Sequence, residues 1–268
     1  MSTPPLTELS AAQQRAVEAL RTTGVAAVPF AELFPDGELW EELSADMSGF
    51  VAEVEGRLPA MSREDRAAEF GKAFLVRRYR AKKLRLGLDN PWVRLGVSPE
   101  FLGIVNTYRG RELRIHDVDN WYTVPDPDAE RSASQRWHRD GWENHIVKVF
   151  TYFNDVDGEA GPFEYVLGSP QGQKYGDLYP WEDKEVYPPD GAVEEAVDLA
   201  DIRPMTGAPG TIVFCDTSGF HRGGYARSKP RILSYHTYLS DEGQQKHRRK
   251  FEVDVPGGIP PETQYALG

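Results

Sequence analysis

Apolar side chains recur along this chain with two different rhythms. In its first hundred residues they return every three or four positions: Ala16, Val17, Ala19 and Leu20; Leu39, Trp40, Leu43, Phe50, Val51 and Val54; Phe101, Leu102, Ile104 and Val105. That is the spacing of helices that bury one face. Ser10 with Gln13 three residues on is a capping box, so the first helix is predicted to start there and to end near Gly24. Val25 to Val28, held between Gly24 and Pro29, reads as a short strand, and the stretch from Pro35 to Phe74 as one or two amphipathic helices. Ser98-Pro99-Glu100 starts another helix, with proline at its first position.

Beyond Glu112 the period falls to two, the period of strands. Strands are predicted from Glu112 to Val124, Val147 to Phe153, Phe163 to Leu167, Thr211 to Cys215, Arg231 to Leu239 and Phe251 to Val255. In the second of these both faces are apolar or aromatic, as in an inner strand of a two-sheet sandwich. Gly and Pro turns separate the strands, and helices precede them. The pattern predicts a mainly β chain with flanking helices and a jelly-roll core, the double-stranded β-helix or cupin-like architecture. One domain over residues 1–268 is expected, with helical support in about 1–110 and the jelly roll in about 111–256. Residues 171–204 are rich in Tyr, Pro and acidic side chains and read as a long irregular loop with a short helix near Val193 to Leu199. Tyr175, Tyr179 and Trp181 are its candidate lid residues.

Composition narrows the function classes. A formal net charge of −11 sets the chain against anionic partners, so neither nucleic acid nor a membrane surface is expected. The single cysteine, Cys215, excludes an internal disulfide framework, and the N-terminus lacks the basic and apolar blocks of a secretory signal. With no stretch near the roughly 20 apolar residues that span a bilayer, a cytoplasmic location is expected. A basic run, Arg77, Arg78, Arg80, Lys82, Lys83 and Arg85, reads either as a solvated face or as a lip for an anionic substrate.

The chemistry centres on Trp137-His138-Arg139-Asp140-Gly141. On an extended backbone His138 and Asp140 share a side and Arg139 points elsewhere, so an imidazole and a carboxylate converge. His221, just after the apolar run ending in Phe214, supplies a third ligand. Two histidines and one carboxylate leave open positions on a first-row metal, the set typical of non-haem Fe(II) oxygenases. Arg231, ten residues further, offers a planar fork for a carboxylate. His116 and Asp117 are a rival pair, but neighbours on a strand face opposite ways. On residues alone, a zinc or manganese hydrolase or isomerase and a non-catalytic binding protein remain open.

WHRDG (137–141), VKVFTYFNDVD (147–157), GPFEYVLGSP (161–170) and PGTIVFCDTSGFHRGG (209–224), with Arg231 beyond, occur in order. Together they resemble the phytanoyl-CoA dioxygenase-like family of Fe(II)/2-oxoglutarate oxygenases over roughly residues 110–240. Pro170 departs from the histidine that members often carry there. The resemblance implies Fe(II) on His138, Asp140 and His221, 2-oxoglutarate with its distal carboxylate on Arg231, and dioxygen as oxidant. It implies hydroxylation of an unactivated C–H bond in a small organic molecule, a natural-product intermediate or lipid-like acid, with release of succinate and CO2. The intact Asp140 favours oxygen chemistry over halogenation, where related enzymes carry a small residue. Gln135 and Thr151 are candidates for the keto acid's proximal carboxylate, and Asn120, Tyr122, Trp142 and Arg222 for the substrate. The oligomeric state is not legible.

Overall fold

The first helix forms where its capping box places it. In this computed structural model, which describes residues 8–81, 84–128, 130–141, 143–179 and 187–268, α1 (Ala11–Thr23) starts with Ser10 and Gln13 capping each other reciprocally. Gly24 takes φ 83°, a left-handed value that costs glycine little, and turns the chain straight into β1 (Val25–Pro29). After α2 (Phe30–Leu33), the amphipathic stretch becomes α3 (Glu38–Arg57) and α4 (Arg63–Phe70). Then come β2 (Leu75–Arg77), α5 (Pro91–Gly96), α6 (Pro99–Arg109) and β3 (Arg114–Thr123). The remaining elements are β4 (Val147–Tyr152), β5 (Phe163–Val166), α7 (Ala192–Ala196), β6 (Ile202–Met205), β7 (Thr211–Asp216), β8 (His221–Arg222), β9 (Arg231–Leu239), α8 (Asp241–Lys246) and α9 (Pro261–Leu267).

These strands make two antiparallel sheets, a six-stranded one in the order β1-β7-β4-β9-β3-β2 and a three-stranded one in the order β6-β5-β8. The large sheet is covered on both faces. Val147 and Val149 of β4, Ile212 and Phe214 of β7 and Tyr238 of β9 pack outward against Leu20, Trp92, Phe101 and Leu102 of the helices. Phe150, Tyr152, Val213, Leu233 and Tyr235 face inward, against Phe163 and Tyr165 of the small sheet. β4, flanked by β7 and β9, has all six residues buried, as its doubly apolar pattern requires. Helices on one face and a second sheet on the other make the expected jelly roll.

Three details differ from the sequence reading. The alternation from Phe251 to Val255 is not a strand: Glu252 forms one parallel bridge with Arg85 and the pairing goes no further. A pleat pattern without a long partner edge does not build a ladder. β2, β6, α8 and α9 carry short or weak patterns and were not expected. Finally, β1 and β2 come from the first 110 residues yet join the large sheet, so that part is not purely helical support. No helix among the described residues is long and apolar enough to cross a membrane.

Candidate metal centre

Two short extended pieces meet at the centre. His138 and His221 exchange backbone hydrogen bonds of 3.0 Å in each direction, and Asp140 N–H donates to Thr217 carbonyl at 2.8 Å. The histidine and aspartate therefore lie on a single bridge pair rather than on the longer strand expected. The turn between β7 and His221 is fixed by buried Asp216. Its carboxylate accepts from Ser218 N–H and Oγ, from Tyr108 Oη at 2.7 Å and sits 2.7 Å from His145 Nδ1. Arg139, between the two ligands, points away as expected. It donates to the carbonyls of Ser169, Ser218, Tyr175 and Leu178 and stacks 3.9 Å above the Phe220 ring. Buried carbonyls are thereby satisfied and three loops are tied behind the centre.

His138, Asp140 and His221 offer ligand atoms all within 4.8 Å of one another. His221 Nε2 lies 3.7 Å from Asp140 Oδ2, and the two imidazole centroids are 4.2 Å apart. Each Nδ1 faces a backbone carbonyl, Arg136 for His138 at 2.9 Å and Gly219 for His221 at 3.0 Å. A carbonyl only accepts, so Nδ1 carries the proton and each Nε2 lone pair is turned toward the partner ligands. Burial lowers both imidazole pKa values, that of His221 to about 3, where the neighbouring His138 adds to the effect. Both rings are neutral at physiological pH, the form that binds metal. Burial alone would raise the Asp140 pKa. The Lys148 ammonium beside it outweighs burial and holds the carboxylate ionised.

Beside this cluster lies a cavity of about 600 Å³ of empty space, mouth included, lined by His138, His221, Gln135, Lys148, Phe150, Phe163, Thr123, Leu233 and Arg231 among others. Arg231 is buried, and its Nε and Nη1 have no hydrogen-bond partner. A buried guanidinium with unused donors is costly unless an anion completes it. Thr123, opposite Arg231 in the β3/β9 register, also presents a buried hydroxyl without partner. The residues present therefore fit a divalent metal at one end and a carboxylate at the other.

The remaining candidates sort by face. Gln135 lines the cavity, though from a 3₁₀ turn rather than a strand, with its Oε1 accepting from Ser132 N–H. Thr151 shares the outward side with Val147 and Val149 and points away from the cavity that Lys148 and Phe150 line. Asn120 and Tyr122 also face outward, Tyr122 reaching Glu55, while Trp121 and Thr123 face in. Arg222 is held by Glu164 at 2.6 Å and Glu194 at 2.9 Å and stacks on Trp137. Its guanidinium is thus engaged by two carboxylates and a ring. Trp142 and Trp181 lie outside the described residues. Tyr175 is buried with its hydroxyl on Asp201, and Tyr179 is exposed. From the same long loop it is Tyr187 that approaches, its ring 5.8 Å from His138. In the basic run Arg77 pairs with Asp117 and Asp119, Arg78 with Asp46 and Arg85 with Glu252 and Asp254, while Lys82 and Lys83 lie outside the described residues. The rival pair is engaged elsewhere, His116 beside Gln244 and Asp117 beside Arg77. Missed by the sequence reading were Lys148, Thr123 and a second, polar cavity of about 1130 Å³ of empty space on the far side of Asp140, lined by Glu143, Asn144, Asp177 and Lys246.

No family model matches the chain, and no curated protein does. Solved structures share its fold. EctD from S. alaskensis, solved with 2-oxoglutarate and 5-hydroxyectoine, superposes with a TM-score of 0.54 at 17% identity over 95% of this chain and 90% of its own. The epimerase SnoN, solved with Fe3+, alpha-ketoglutarate and nogalamycin RO, gives 0.52 at 17% identity over 86% and 84%. EvdO2 from Micromonospora carbonacea var. aurantiaca, complexed with 2-oxoglutarate, gives 0.50 at 17% identity over 88% and 92%.

Proposed function

We propose that this chain is an Fe(II)- and 2-oxoglutarate-dependent oxygenase of the phytanoyl-CoA dioxygenase-like kind that hydroxylates a C–H bond of a small organic molecule. The observation that carries the reading is a ligand cluster of two neutral histidines and one carboxylate beside a cavity in which Arg231 has unused donors. Fe3+ with alpha-ketoglutarate in SnoN, and 2-oxoglutarate in EctD and EvdO2, support it.

His138, Asp140 and His221 would hold the iron through Nε2, a carboxylate oxygen and Nε2, and the carbonyls of Arg136 and Gly219 keep the two rings in the required tautomer. Arg231 would grip the distal carboxylate of 2-oxoglutarate, with the Thr123 hydroxyl as a second donor. Phe150, Phe163 and Leu233 line the space between and keep water from it. When bound, iron with 2-oxoglutarate and dioxygen supplies the oxidising power for C–H cleavage, with succinate and CO2 as by-products. The polar cavity beyond Asp140 is where the substrate would lie, and its Glu143, Asn144, Asp177 and Lys246 suit a molecule rich in hydrogen-bonding groups.

An epimerase among the fold's neighbours makes inversion at a carbon the second reading. Product mass separates the two, since hydroxylation adds an oxygen atom and inversion does not. The test is succinate release from 2-oxoglutarate with Fe(II) and ascorbate across a metabolite panel. Release that needs iron and is lost in His221→Ala is expected. No release with any compound, together with hydrolysis of a panel member by the zinc form, would favour the metallohydrolase.

A further inference from the structure

Lys148 stands at the centre, and the proposed chemistry does not yet use it. It projects from the inner face of β4, is 9% exposed, and places Nζ 2.5 Å from Asp140 Oδ2. That is the same oxygen that lies 3.7 Å from His221 Nε2. The ammonium therefore occupies one side of the very atom that has to serve a metal, and it lines the keto-acid cavity together with Arg231. Asp140 itself lines the polar cavity, whereas Lys148 lines the keto-acid one.

We propose that Lys148 couples metal binding to keto-acid binding, opposing a divalent cation on Asp140 when no keto acid is present and contacting the keto acid's metal-proximal carboxylate when one is. The inference rests on the oxygenase reading above and replaces Thr151, which faces the other way. Its physical basis is charge. A divalent cation ligated by Asp140 lies close to a fixed ammonium in a buried site, where like charges repel strongly. Arg231 adds a further positive charge in the same cavity. An incoming dicarboxylate relieves both, with one carboxylate on Arg231 and the other between the metal and Lys148. Linkage then makes the effect mutual, because whatever the keto acid does for metal affinity the metal does for keto-acid affinity. A lysine serving only as a structural counterion to Asp140 would give no such coupling.

Calorimetric titration of the metal-free protein with Mn(II), with and without saturating 2-oxoglutarate, tests this without turnover. In the unaltered protein 2-oxoglutarate is expected to tighten Mn(II) binding by about tenfold or more. In Lys148→Met, Mn(II) alone is expected to bind about tenfold tighter, with most of the enhancement by 2-oxoglutarate gone. Lys148→Arg, which keeps the charge, should retain the coupling. Lys148→Gln with circular dichroism and thermal melts stands in if the methionine variant does not fold. Undiminished coupling in the charge-free variants overturns the role of Lys148 and leaves the oxygenase reading standing. Failure of the unaltered protein to bind Mn(II) or 2-oxoglutarate at all overturns both.

Discussion

Asp140 and Lys148 form a buried pair in which each charge is tolerable because of the other. Removing one partner of such a pair costs about 3–5 kcal/mol, since it leaves the other desolvated. We expect Asp140→Ala to lose about that much stability in urea denaturation of the metal-free protein, besides its metal binding. His221→Ala, which removes a neutral ring, should lose metal binding with a smaller loss of stability. Equal stabilities in the two variants would show that the ion pair contributes nothing. Arg139 is the second residue whose loss reaches further than its charge. Arg139→Met leaves the carbonyls of Ser169, Ser218 and Leu178 without this donor, each at about 1–3 kcal/mol if water does not enter, while that of Tyr175 keeps the Leu178 N–H. Thermal melts should show a marked drop and Mn(II) titration a weakened site; an unchanged melting temperature would contradict the clamp. That His138 and Asp140 converge was legible from sequence, because residues two apart on an extended backbone share a side. Lys148 and Thr123 were not: the strand that carries Lys148 reads as an inner one covered on both faces, which gives its lysine no role, and a lone threonine carries no signal.

At the scale of elements, face parity decided what could be read. The register of β3 against β9 shifts between Ile115 and Asp117. That irregularity reverses which side each later residue faces. Ile115 packs with the helices, yet Trp121, six residues on, lines the cavity while Asn120 and Tyr122 turn outward. A bulge leaves no mark in the alternation of a single strand, so the sequence does not tell which of these residues face the cavity. Helix α1, β1, α6, β4 and β9 were legible to within a residue or two, having caps, proline starts or long uninterrupted periods. The connection between β8 and β9 gives an element-level test. A Cβ on Gly224 would come within 2.0 Å of Pro162 O and 2.1 Å of the Gly161 carbonyl. Gly224→Ala must therefore push the cavity wall off its neighbour, and we expect weaker 2-oxoglutarate binding with a loss of about 1–3 kcal/mol in stability. Unaltered binding by calorimetry would show that this wall is not part of the keto-acid site.

For the whole molecule, the jelly roll hides two histidines that belong to no ligand set. His116 and His236 are both buried, and burial lowers each pKa from 6.5 to about 4. The folded chain therefore resists protons that the unfolded chain accepts. As pH falls through 6.5 the unfolded state begins to gain protons, and stability drops until about pH 4, below which both states are protonated at these sites. Each histidine contributes up to about 3 kcal/mol to that decline. Urea midpoints measured between pH 7 and 4 should fall, and His236→Gln should flatten the slope; an unchanged slope in the variant would count against the buried neutral ring. Most strands and the helical cover followed from periodicity, whereas the order of the strands in the sheets did not, and the polar cavity beside Asp140 arises only where loops distant in sequence come together. No linear pattern encodes it.

The central claim is that His138, Asp140 and His221 hold iron with a keto acid anchored by Arg231. Anaerobic addition of Fe(II) and 2-oxoglutarate, followed by visible absorption, tests it most directly. A weak charge-transfer band that needs both additions, disappears in His221→Ala and requires more 2-oxoglutarate in Arg231→Ala is the expected result. No band at any concentration, with tight retention of zinc in its place, would contradict it.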